Sequence, residues 1–185
     1  RHQAEEFMSA LVPDEQLEIL RLLPTVERRS WMRVMAPDDA ADLLQTCEPE
    51  ERESFAAMLD DKTRTEVKAL MAYKEDAAGG LMSPRFARVR PDMSVDQAIA
   101  CLRKQSREHL ETIYYVFVLD EGQHLLGVVS FRELFIAKPE LTVREVMRTE
   151  LVKADEQMDQ EALSGLFAQH GLIAIPVVDK ENRLK

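Results

Sequence analysis

Written in lines of twelve from Pro13, the chain repeats itself: PDEQLEILRLLP, TVERRSWMRVMA, PDDAADLLQTCE, PEERESFAAMLD and DKTRTEVKALMA. The seventh column of this array is Ile19, Trp31, Leu43, Phe55 and Val67, and the eleventh is Leu23, Met35, Cys47, Leu59 and Met71. Both columns are apolar throughout. Positions four apart share one face of a helix, so each block predicts a short amphipathic helix. Pro13, Pro37 and Pro49 open their blocks and acidic residues follow. That order suits a first helical turn, where a missing N–H costs nothing and carboxylates meet the positive end of the helix dipole. Helices of about two turns are marginal alone in water. Five in succession are therefore expected to stack into a superhelix with a continuous apolar seam.

After Tyr73 the texture changes. Gly79-Gly80 interrupt helical continuity, and β-branched and aromatic residues gather in short runs, which places a domain boundary within 74–80. A longer unit follows: Leu81-Met82, an extended run to Val89, a helix near 95–104, strands over 113–119 and 125–129, and a closing helix around 132–136. Shifted by 65 the pattern restarts, with Leu81-Met82 meeting Val146-Met147, Met93 meeting Met158 and Leu102 meeting Phe167. Six residues are then lost, and at a shift of 59 Asp120 meets Asp179 and Leu125 meets Leu184. Counterparts of Gly127-Val128-Val129 would fall past Lys185. A strand without its partner leaves backbone groups unpaired, so the second unit is expected to be cut short. The start at Arg1, with no Met and no leader pattern, likewise reads as a cut edge.

Charge and composition narrow the function classes. The 34 Asp and Glu outnumber the 24 Lys and Arg, a net charge of −10, which argues against nucleic acid as a partner and favours cations. Residues 1–72 hold 16 acidic and 9 basic side chains, net −7, against 18 and 15, net −3, in 73–185. The longest apolar run is the seven residues 113–119, whereas a membrane-spanning helix needs roughly 20. Cys47 and Cys101 have neither disulfide-framework nor metal-ligand spacing and are expected to be small buried apolar residues in a reducing setting. His2, His109, His124 and His170 are scattered without zinc-site spacing and read as surface residues. Met32, Met35, Met58 and Met71 occupy or adjoin the apolar columns, so they read as core. No nucleophile elbow, phosphate-cradling loop or dinucleotide fingerprint is present; the chain is expected not to be an enzyme.

The β-α-β-β-α unit resembles the cystathionine-β-synthase (CBS) domain, with Gly-Val-Val-Ser-Phe-Arg-Glu-Leu after its third strand and Ile-Pro-Val-Val-Asp in the second copy. The stretch Tyr73-Lys-Glu-Asp-Ala-Ala-Gly-Gly-Leu-Met82, preceded by the short-helix array and followed by Glu111-Thr-Ile-Tyr-Tyr115, is similar to the cytosolic part of MgtE-type magnesium transporters. The fold expected from this resemblance is α plus α/β. It has an N-terminal superhelix over 1–76, a first CBS domain over 77–140 and a second, truncated one over 141–185. The resemblance implies a Mg²⁺ sensor on the cytosolic face of a bacterial cell membrane. It would be homodimeric through its CBS domains and attached to a transmembrane domain of the same polypeptide. Mg²⁺ held between acidic N-domain and CBS surfaces would keep the pore closed.

Carried over position by position, the family's N-domain cation ligands fall on Asp38 and Asp42, with Asp39 beside them. Asp38 and Asp42 stand four apart and so face the same way. A plainer account of Asp38 and Asp39 is attraction to the helix N-terminus after Pro37; Asp42 lies past the first turn, where that account fails. On the CBS side the carry-over gives Asp159, Glu161 and the backbone carbonyl of Ala168, although capping alone also explains Asp159. Gly171 departs from an acidic residue in the family, so at least one CBS-side site is expected to be weakened or lost. Further ligands would fall past Lys185, and the full set is not expected to form. CBS pairs also bind adenosine nucleotides, ATP or AMP. The matching positions are Tyr115, Arg132 and Glu133, with Pro176 near the adenine-facing strand. Glu133 stands where an Asp usually meets the ribose, and its extra length is expected to crowd the pocket. Arg132 and Glu133 read equally as the solvated opening of a helix. The functions in competition are thus a Mg²⁺-sensing regulatory region, an adenosine-nucleotide sensor and a protein-interaction scaffold built on the helical array.

Overall fold

The computed structural model describes residues 7, 8, 10–105 and 112–185; His2 and His109 lie outside them. The described residues form two compact units, divided between Glu75 and Asp76.

In the first unit the helices are α1 (Pro13–Leu22), α2 (Thr25–Met32), α3 (Pro37–Thr46), α4 (Pro49–Ala56) and α5 (Asp61–Leu70). Each opens on a block boundary of the repeat. Packing skips one helix, with α1 and α5 both against α3. Leu43, Phe55 and Val67 are buried as the seventh column requires, but Ile19 and Trp31 are only half-buried. In the first two helices the deepest residues lie one step on, at Leu20 and Met32, and in the third Leu43 and its neighbour Leu44 are both at most 1% exposed. The seam therefore spans two adjacent columns. Cys47 is buried, and burial first of all pushes its thiol up to about 11. Cys101, against expectation, is half-buried and accepts a hydrogen bond from Gln105 Nε2 at 3.2 Å. It lies one step off the inward line of its helix.

Column four carries what the apolar pattern leaves unexplained: Gln16, Arg28, Ala40, Arg52 and Arg64. Arg28 donates from Nε to Leu20 O at 2.8 Å and from Nη2 to Leu23 O at 3.2 Å. Arg52 does the same to Leu44 O and Cys47 O at 2.8 and 3.1 Å, and Arg64 to Ala56 O and Leu59 O at 3.1 and 2.8 Å. Gln16 Nε2 reaches Met8 O and Leu11 O at 2.9 and 3.1 Å. Each side chain thus serves carbonyls eight and five residues back, at the C-terminus of the preceding helical turn, where intrahelical donors run out. Ala40, fully buried, is the exception.

The second unit runs α6 (Ala78–Leu81), β1 (Phe86–Val89), α7 (Val95–Gln105), β2 (Thr112–Leu119), β3 (Leu125–Ser130), α8 (Phe131–Ile136), α9 (Val143–Val146), β4 (Ala154–Asp155), α10 (Gln160–His170) and β5 (Val177–Val178). One sheet has the order β1-β2-β3, with β1 parallel and β3 antiparallel to β2; β4 and β5 form a parallel pair. Val95, Ala98 and Leu102 bury one face of α7. Ser130 and Glu133 open α8 with a capping box, as Thr142 and Glu145 do α9.

The two copies are interleaved. Val143 N–H donates to Met93 O at 2.8 Å, and its counterpart 65 residues earlier, Ala78, donates to Met158 O at 2.7 Å. Val95 to Leu141 and Gln160 to Asp76 form the matching second pair, both at 2.8 Å. The opening turn of each copy therefore sits in the other's core: Val143 packs with Val95 and Leu102, and Ala78 with Ala154 and Val177. The offset of 59 governs the hairpin turns. Leu125 N–H reaches Asn182 O at 2.9 Å, and Leu184 N–H reaches Gln123 O at 3.1 Å. Gln123 and Asn182 share a left-handed conformation, φ 66 and 62. A local twofold axis thus relates the copies.

Candidate functional site

Pro37 sets α3 going, and Asp38 and Asp39 occupy its first turn. Asp38 and Asp42 are half-buried and Asp39 reaches solvent. Burial pushes the Asp39 carboxyl above its ordinary value, because the packed chain around it replaces water even though the side chain is not enclosed. Asp42 is pushed up first by burial, then by the negative charges of Asp39 and Glu75. All the forces acting on Asp42 disfavour its charge. Glu75, which the sequence reading did not single out, belongs to this electrostatic group; its only sequence signal was its place in the run after Tyr73. Among the described residues no three His, Cys, Asp or Glu side chains already converge as a metal cage.

The other proposed cation ligands sit on α10. Asp159 is its N-cap and accepts from Ala162 N–H at 2.8 Å; Glu161 and Ala168 are exposed on the same helix. Gly171 ends α10 with φ 59 and donates to Phe167 O. This left-handed capping position favours glycine, which gives a conformational reason for the absence of a carboxylate there.

Three of the four expected nucleotide residues come together. Tyr115 on β2, Glu133 on α8 and Pro176 before β5 line a cleft of 150 Å³ with Ser130, Arg148 and Glu150. Arg132 is exposed and is not among its lining residues. Glu133 does not simply crowd the cleft. Its Oε2 accepts from Ser130 N–H and Oγ–H, both at 2.8 Å, and its Oε1 accepts from Arg148 Nε at 2.8 Å. Burial works to raise this carboxyl, but the Ser130 hydrogen bonds and Arg148 prevail, and it lies below its ordinary value. Arg148 was missed in the sequence because nothing in the local pattern joins it to Glu133. A second cleft of 240 Å³ lies across the local axis, lined by residues including Arg85, Phe86 and Ile175. No helix among the described residues is long and apolar enough to cross a membrane.

Comparison with known proteins supplies the frame for this geometry. The MgtE intracellular N domain matches residues 1–76, and the CBS domain matches 78–140 and 143–185. Magnesium transporter MgtE of Thermus thermophilus is 40% identical over 185 residues, covering 98% of this chain and 41% of that protein. Magnesium transporter MgtE of Bacillus subtilis is 31% identical over 179 residues, covering 97% and 40%. The chain spans about two fifths of the length of these relatives. A crystal structure of the cytosolic domain of the Mg²⁺ channel MgtE in complex with ATP superposes with a TM-score of 0.92 at 40% identity, covering 98% of this chain and 74% of that one. The chain therefore belongs to the MgtE family, of which it carries the N domain and the CBS domains.

Proposed function

We propose that this chain is the Mg²⁺-responsive regulatory region of a magnesium transporter or channel, acting without catalysis on a transmembrane domain of the same polypeptide. It would work at the cytosolic face of the cell membrane as a homodimer joined through its CBS domains. One observation carries the reading: α3 gathers the carboxylates of Asp38, Asp39 and Asp42 on one helix, where burial raises Asp39 and Asp42 and the charges of Asp39 and Glu75 further raise Asp42. A divalent cation relieves such strain. Mg²⁺ is a hard ion that takes carboxylate oxygens while keeping several waters, so a loose set of carboxylates suits it without an all-protein cage. Asp38, Asp39 and Asp42 are the proposed N-domain ligands, and Asp159, Glu161 and the Ala168 carbonyl those of the CBS side. Gating follows if Mg²⁺ binds one arrangement of the domains better than another. In thermal denaturation at constant ionic strength, millimolar Mg²⁺ is expected to raise the melting temperature of the native protein and not that of an Asp38→Ala, Asp42→Ala double variant. Equal protection of both, or of neither, contradicts the reading.

A second ligand is favoured by the cleft of Tyr115, Glu133 and Pro176, and the related cytosolic domain was crystallised with ATP. We infer that the CBS pair takes an adenosine nucleotide, ATP or AMP, between its copies. Calorimetric titration with both decides this, and the absence of heat with either removes it.

A further inference from the structure

Arg148 is the one cation among the described residues that line the cleft of Tyr115, Glu133 and Pro176. Its backbone is fixed, donating to Val128 O at 2.8 Å and accepting from Val128 N–H at 2.9 Å. Its side chain is 71% exposed and lies against Glu133, which is 30% exposed. The Glu133 oxygens have separate duties. Oε2 is committed to the capping box through Ser130, and Oε1 takes both Nε and Nη2 of Arg148. The acceptor that Glu133 has to offer a ribose is therefore the one that Arg148 covers.

We propose that Arg148 is a phosphate-dependent latch on this cleft. When an adenosine nucleotide enters, the guanidinium leaves Glu133 Oε1 for the phosphate, and Oε1 accepts the ribose hydroxyls in its place. The exchange is favourable because an exposed ion pair is weakly held, whereas a guanidinium matches phosphate with paired, charge-assisted hydrogen bonds. An uncharged nucleoside breaks the Arg148–Glu133 pair and offers nothing in return. The latch thus makes phosphorylation state, and not the adenine ring, the quantity that is read. The inference rests on the nucleotide reading of the cleft.

The test is calorimetric titration of the 185-residue protein and its Arg148→Gln variant with adenosine, AMP and ATP. The variant is expected to bind ATP and AMP at least about ten-fold more weakly. Adenosine is expected to bind it equally well or up to about five-fold more tightly, since the competing ion pair is gone. Arg148→Lys, which keeps the charge but not the fork, recovers part of the ATP affinity. If Arg148→Gln shifts adenosine and ATP by the same factor, or neither, the latch is wrong while the nucleotide reading stands. If the native protein binds none of the three, the nucleotide reading fails and the latch with it.

Discussion

Short helices have a cost that apolar packing does not address: four carbonyls at each C-terminus lack an intrahelical donor. Column four meets it with a long side chain reaching back five and eight residues, as Arg28, Arg52 and Arg64 do. Arg52→Ala is expected to lower the stability of the helical unit by about 1–3 kcal/mol, the scale of hydrogen bonds from a charged donor, as read by urea denaturation. The column was visible in the sequence as Gln, Arg, Ala, Arg, Arg, but an apolar-pattern search discards polar positions, so its purpose emerged only with the carbonyls in place. Asp42 poses the opposite case, a side chain that the fold disfavours in its charged state. Its folded pKa lies above the ordinary 3.8, so the folded state binds more protons than the unfolded one between those values. Stability is therefore lost as pH rises through that window. Asp42→Asn is expected to stabilise the Mg²⁺-free protein at pH 7, and the gain should vanish below the ordinary carboxylate value. Melting temperatures across pH 3 to 7 check the sign.

Among the elements, glycine placement separates positions where backbone must approach closely from positions where it need not. A Cβ on Gly127 would meet Arg148 O at 2.7 Å and Met147 Sδ at 2.8 Å, in the segment where β3 pairs with Arg148. Gly127→Ala is expected to cost about 1–3 kcal/mol. Gly165, in the middle of α10, has nothing within 4 Å of such a Cβ. Gly165→Ala is expected to stabilise by up to about 1 kcal/mol, and chemical denaturation of the two variants gives opposite signs. The elements themselves were largely legible: the repeat of twelve places all five helix starts, and the short β-branched and aromatic runs place β2 and β3. What the linear order hid is the exchange of opening turns. Ala78 reads as the start of the first copy, yet it packs with Ala154 and Val177 of the second. Local periodicity reports which face of an element is apolar, and not which partner covers it.

For the molecule as a whole, the internal offsets of 65 and 59 match the local twofold, because aligned residues make equivalent hydrogen bonds: Val143 with Met93 as Ala78 with Met158, and Leu125 with Asn182 as Leu184 with Gln123. The candidate cation residues of each unit were reached through the family resemblance, with Asp38, Asp39 and Asp42 on one helix and Asp159, Glu161 and Ala168 at the start of and along another. Arg148 was not, because its pairing with Glu133 joins α8 to the start of the second copy and depends on the interleaving. The proposed function requires that the acidic helix α3 carry charge that a divalent cation relieves. The most direct measurement is NMR titration of the Asp39 and Asp42 side-chain carboxyls with and without millimolar Mg²⁺ at matched ionic strength. Both pKa values are expected above the ordinary aspartate value without Mg²⁺, and to fall when it is added. Carboxyls that titrate normally without Mg²⁺, or that do not respond to it, would overturn the Mg²⁺-responsive role.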